Sequence, residues 1–149
     1  MGRNAMVLAV ALGALVGAAG APALGKQSKA CSWELEVPRT QGADSCWIDE
    51  KVTAQPGALE VQCEGSNASG DARAIFGERT FTGKMKDGDV NVVLHTRFHY
   101  GDGCDWGTTQ TITGRPSSGH LSYSYREYPL PGQTGCLNAC AATADVRVR

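Results

Sequence analysis

The chain has 149 residues, with 14 basic and 15 acidic side chains, three histidines and 42% hydrophobic residues. A near-neutral balance with no basic run excludes the electrostatic footprint of a nucleic-acid binder or an anionic-membrane binder. The length suits one domain rather than several.

The first stretch is set apart from the rest. Arg3 is followed by an apolar run from Ala5 to Gly20, then by the small residues Ala19, Gly20, Ala21, Pro22 and Ala23, with Lys26 the next charge. That order predicts a secretory signal peptide over residues 1–25 and a single secreted or periplasmic β-domain over 26–149. The rival is a membrane anchor, but the run is mostly Ala and Gly and is broken by Pro22, so no stable membrane insertion of the mature chain is expected. All six cysteines (Cys31, Cys46, Cys63, Cys104, Cys136, Cys140) lie in the mature part. An even count behind an export signal predicts three disulfides. Zinc would need a second close pair to match Cys136 and Cys140, and there is none.

From Cys31 to Val37, Cys31, Trp33, Leu35 and Val37 alternate with Ser32, Glu34 and Glu36, a half-buried strand that Pro38 ends. Ser45–Thr53 and Ala58–Glu64 read as a hairpin turning through Gln55, Pro56 and Gly57. In that register Cys46 and Cys63 are roughly 13 Å apart along the strands. A disulfide needs Cα atoms within about 7 Å, so these two are not expected to pair. The segment 65–70 reads as a small polar loop carrying the glycosylation sequon Asn67, Ala68, Ser69. Arg73–Met85 reads as one strand with a bulge at Gly77. An Asp87-Gly88 turn leads into the longest alternation, Val90 to Tyr100, with Val90, Val92, Leu94, Thr96, Phe98 and Tyr100 on the core face. After the corner at Gly101, Asp102 and Gly103 come strands at Trp106–Thr113, Leu121–Glu127 and Ala142–Arg149. Between the last two lie a Pro/Gly-rich loop and an Ala-rich stretch in which Cys136 and Cys140 have helical spacing. The sum is about eight strands on short turns: an all-β fold, a small antiparallel up-and-down β-barrel or sandwich stapled by disulfides, the barrel being favoured.

Few residues point to chemistry. His95, Arg97 and His99 share an outer strand face, but residues two apart on a strand are about 6.6 Å from each other, too far to share one metal without a third group. Asp87, Asp89 and Asn91 copy the start of a calcium loop, which then fails at Val92 and Phe98 where Gly and Glu are required. No nucleophile motif is present. Glu127 is the one carboxylate placed to act as an acid–base group, and no partner for it is evident, so neither a catalytic nor a metal site is assigned and no cofactor is expected.

The inward set is more informative. Trp106, Gln110, Tyr123, Tyr125 and Glu127, with Thr96 and Thr108, fall on the core face. A core rarely tolerates so many polar atoms without partners. Either they satisfy one another, or they line a barrel cavity for a ligand. The functional expectation is a secreted or periplasmic, non-catalytic binding domain holding a small amphipathic molecule or a glycan, with Trp106, Gln110, Tyr123, Tyr125 and Glu127 as its ligand-binding residues. The alternative is a structural or protein-interaction domain of the cell envelope, with an envelope protein as partner and no small ligand. A hydrolase or enzyme inhibitor is the minor reading.

Overall fold

The computed structural model describes residues 29–40, 46–64 and 67–149. The expected signal peptide over 1–25 lies outside the described residues.

Eight antiparallel strands close into a barrel in sequence order: β1 (Lys29–Glu36), β2 (Gly57–Glu64), β3 (Asn67–Phe76), β4 (Arg79–Lys86), β5 (Asp89–His99), β6 (Asp105–Gly114), β7 (His120–Pro129) and β8 (Cys140–Val148). Every strand pairs with its neighbour in the chain, and β8 returns to β1, so the meander expected from the sequence is a barrel and not a sandwich. The best-paired ladder joins β5 and β6 in ten residue pairs, from Val90 opposite Gly114 to His99 opposite Asp105. The seam is far shorter: Leu35 lies opposite Val148 and Glu36 opposite Arg147. Reciprocal main-chain bonds of 3.0 and 2.9 Å between Glu34 and Arg149 lengthen it slightly.

A barrel of eight strands is just wide enough for its own side chains to fill. Alternation delivers them: Leu59 and Val61 from β2, Ala72, Ala74 and Phe76 from β3, Phe81 from β4, Val90 and Val92 from β5, Ile112 from β6 and Tyr123 from β7 are all buried. Phe76, Phe81 and Tyr123 meet edge to face, with ring centres 5.9 and 6.2 Å apart. That geometry suits the ring quadrupoles and fixes the centre of the core. Along β5 the expected core face is correct, but burial fades from Val90 and Val92 through Leu94, Thr96 and Phe98 to the exposed Tyr100.

Three expectations need correction. Over its described part, Ser45–Thr53 is no strand: Glu50–Thr53 is a short helix, α1, whose first turn is capped by the Asp49 carboxylate accepting from the Lys51 N–H. Asp at an N-cap outcompetes extended structure by satisfying a backbone donor locally. Arg73–Met85 is two strands, because Gly77 turns the chain at φ 54° rather than bulging it. Asn67–Gly70, expected as loop, opens β3. The segment holding Cys136 is not helical, and Cys140 already belongs to β8. The Asp87-Gly88 hairpin is as expected, with φ of 53° and 86°.

The disulfides are Cys31–Cys63, Cys46–Cys140 and Cys104–Cys136. Cys46 and Cys63 do not pair with each other, although the hairpin from which that was argued does not form. No cysteine is free. Three disulfides suit an oxidising, extracellular-type environment.

The two ends of the barrel differ. At one end lie the β1–β2, β3–β4, β5–β6 and β7–β8 connections. Here the segment carrying α1 closes the barrel, with Cys46, Ile48 and Val52 buried in the common core. The Cys46–Cys140 and Cys104–Cys136 bridges both tie this end. At the other end, the turns Asp87-Gly88 and Arg115–Gly119 surround an open mouth, braced by Cys31–Cys63.

Candidate functional site

The inward polar residues form a connected network. Tyr123 donates its hydroxyl to Gln110 Oε1 at 2.7 Å, and Gln110 Nε2 donates to Asp49 Oδ2 at 3.1 Å. Gln110 Nε2 also lies 3.4 Å from Thr108 Oγ1, which meets Thr96 Oγ1 at 2.6 Å. Asp49 therefore serves two structures at once: Oδ1 caps α1 and Oδ2 enters the barrel. Arg79 Nε approaches the same Oδ2 at 3.0 Å, off the N–H axis, so this contact is an ion pair and not a hydrogen bond. Burial, reinforced by the Asp49 charge, pushes the Tyr123 phenol well above its ordinary range, so it remains a donor. Tyr125 is raised likewise, by burial and by the hydrogen bond of 2.5 Å that it donates to Glu127 Oε2.

Gln110 and Tyr123 are both 0% exposed, so no water-sized space adjoins them. Their polar atoms are partnered by protein, which removes the unpaired donors that would have argued for a missing ligand. Trp106 sits nearer the closed end, buried, with its indole N–H directed at the Asp102 carboxylate at 3.3 and 3.4 Å. The structure brings Gln110 and Tyr123 together through hydrogen bonds, and Tyr125 with Glu127, but sets Trp106 in a separate cluster.

The open mouth holds a depression of about 460 Å³. Its lining includes Trp33, Ser69, Met85, Asp87, Arg115 and Pro116. Trp33 is half-buried at the side, Met85 and Pro116 are buried beneath, and hydroxyl and charged groups stand at the rim. Arg115 is held in place: its Nε and Nη2 donate to Asp89 at 3.2 and 2.8 Å, and Nη2 also donates to the Asp87 carbonyl at 3.0 Å. The hydrogen bonds from Arg115 keep Asp89 below the usual carboxylate range. Asp89 thus serves Arg115 rather than a calcium ion. An aromatic wall, an apolar floor and a few oriented polar groups in this volume are the ordinary makings of a small-molecule site.

The histidines make local pairs on the outer face. His95 Nδ1 lies 3.1 Å from Thr109 Oγ1, and His99 Nδ1 is 3.1 Å from Asp105 Oδ1. Among the described residues, the groups that gather three metal-type side chains each contain both sulfurs of a disulfide, so neither offers a thiolate. No protein-family model matches the chain, and neither a curated protein nor a solved structure is similar to it.

Sequence reasoning missed Asp49 and Arg79 in the network. An Asp three residues before an apolar Val52-type position is a readable N-cap signal, but nothing local says that its second oxygen reaches into a barrel. It also missed the mouth. Trp33 was placed on the inner face, while Met85 and Arg115 come to it from strands and turns remote in the chain.

Proposed function

We propose that this chain is an exported, non-catalytic binding domain that takes a small amphipathic molecule or a glycan at its open mouth. The observation that carries the reading is Trp33, a half-buried indole walling a depression of about 460 Å³ over Met85. An apolar face or a sugar ring would stack on the indole, while Asp87, Ser69 and Ser117 would meet its polar groups. In this reading Trp106, Gln110, Tyr123, Tyr125 and Glu127 hold the wall from within. Titrating the oxidised protein with a panel of single-chain amphiphiles and oligosaccharides, read by tryptophan fluorescence, tests it. A saturable change is expected that Trp33→Leu abolishes and Trp47→Leu, at an exposed site away from the mouth, preserves. Silence across the panel, or an unchanged response in Trp33→Leu, rejects it.

A second reading, an envelope-interaction domain without a small ligand, is favoured by the filled interior. At the closed end Tyr100 and Leu137 are 47% and 62% exposed, large apolar groups that a protein partner would cover.

A further inference from the structure

We propose that the outer edge of β1 accepts an extended peptide as an added strand, one whose residues alternate between apolar and basic. This goes beyond the mouth ligand and does not depend on it.

Closing a barrel normally abolishes sheet edges. Here β8 covers β1 only from Glu34 to Glu36. The Glu34 N–H and C=O both bond Arg149, so they point away from β2. Backbone direction alternates along a strand, and the N–H and C=O of Ala30 and Ser32 therefore face the same open side. Among the described residues no main-chain bond reaches Ala30 or Ser32 from that side, and both residues are exposed. The ladder from β1 to β2 is complete over the same stretch, with Cys31 opposite Val61 and Trp33 opposite Leu59, and the Cys31–Cys63 bridge holds it. Among the described residues the edge is thus short and unpaired, and held from behind by β2.

The existing seam shows which side chains suit it. The last residues of the chain read Val146, Arg147, Val148, Arg149. Val148 lies opposite Leu35 and packs against the core. Arg147 and Arg149 point outward and contact Glu36 at 3.6 and 3.0 Å. A peptide running on in the direction of β8 would meet the same pattern. Arg149 already stands opposite Glu34, so the first inward residue of the peptide would lie beside Trp33 and its next outward residue opposite Ser32, diagonal to Glu34 and one strand away from Glu60. Glu34 and Glu60 make no ion pair among the described residues. Although Arg149 and Arg73 lie across the strands from them, Arg149 is engaged by Glu36, so a basic side chain at that outward place would be drawn to Glu34 as Arg147 and Arg149 are to Glu36. Main-chain bonds supply affinity in strand addition, and the alternate side chains supply selectivity. A lipid or an oligosaccharide has no such ladder to offer.

The test uses a fluorescein-labelled, end-blocked hexapeptide of alternating valine and arginine, with binding to the oxidised protein read by anisotropy at physiological salt. Saturable binding is expected. Ser32→Pro removes one edge donor while leaving the bonds to β2 untouched, and should weaken binding tenfold or more, whereas Ser32→Ala should not. N-methylation of every second peptide amide, those facing β1, should weaken it similarly, which keeps the test decisive if Ser32→Pro fails to fold. No binding, or equal binding by the N-methylated peptide, which charge attraction alone would produce, overturns the proposal. The response of the mouth to amphiphiles should survive Ser32→Pro, so failure of either proposal is seen separately.

Discussion

The two ends of this barrel meet the same problem in opposite ways. A small barrel must close its open ends or leave its apolar lining wet. At the closed end the part of the β1–β2 connection from Cys46 onward is folded inward, and it is fastened by buried Ile48 and Val52, by the Cys46–Cys140 bridge and by Asp49 reaching Gln110. At the mouth, among the described residues, only tight turns stand around Trp33 and Met85, and a depression remains. Polar residues in the barrel wall therefore carry different meanings according to which end they face. Those facing the closed end bind the lid to the wall, whereas those at the mouth are left for solvent or ligand.

The sharpest way to break this contrast is to remove one fastening from each end. The loop-closure argument gives about 4.7 kcal/mol for a bridge spanning a hundred residues and about 3 kcal/mol for one spanning fifteen. Cys46 and Cys140 are 94 residues apart, and Cys31 and Cys63 are 32 apart. Replacing Cys46 and Cys140 by Ser is expected to cost about 4 kcal/mol, the more so because it frees the lid. Replacing Cys31 and Cys63 should cost roughly 1 kcal/mol less. Denaturant midpoints of the two double variants decide the order, and a reversed order would mean that the lid is not a structural part of the fold.

Next in size is Asp49→Ala. It removes an N-cap, strands the amide of the fully buried Gln110 and leaves the guanidinium of Arg79 without its anion. One lost cap and one orphaned buried donor together are worth about 3 kcal/mol, on the order of 10 °C in thermal midpoint. Asp49→Asn keeps an oxygen for the cap but turns an N–H₂ toward the Gln110 donor, so it should recover only the cap, about 1 kcal/mol of that loss. If the alanine variant melts with the parent, the network is not what fastens the lid.

These residues also show how far the chain could be read from its sequence. The strands of β5 to β8 were legible because each keeps a strict alternation between tight turns: Val92, Ile112 and Tyr123 face inward because of a period of two, and nothing remote alters that. The segment from Ser45 to Thr53 was misread because its alternation is as good as a strand's. Its conformation is decided by what it covers, a barrel end assembled from strands that follow it in the chain. The inward polarity of Gln110 and Tyr123 was visible, but whether it served a ligand or the protein depended on Asp49, about sixty residues away. The mouth was the least legible, since Trp33, Met85 and Arg115 come from three separate elements whose meeting is a property of barrel closure.

The smallest effect concerns how the closed end is tied together outside the barrel. Asp102 lies in the corner between β5 and β6. Loss of solvent there acts to raise its pKa, but the N–H groups of Cys104 and Leu137 and the indole of Trp106 outweigh that and hold the carboxyl below the ordinary aspartate range. Leu137 belongs to the β7–β8 connection, so this one carboxylate joins two loops that the Cys104–Cys136 bridge also joins. A group whose pKa is lower in the folded than in the unfolded chain stabilises the fold above its unfolded pKa, and that contribution disappears as pH falls through the folded value. Below about pH 4, thermal midpoints of the parent should therefore fall more steeply than those of Asp102→Asn, whose amide does not titrate. Because the bridge persists in acid, the loss should be local, a faster hydrogen exchange at Leu137 and Cys104 with the mouth unchanged. Parallel acid profiles for parent and variant would show that the bridge alone holds this corner.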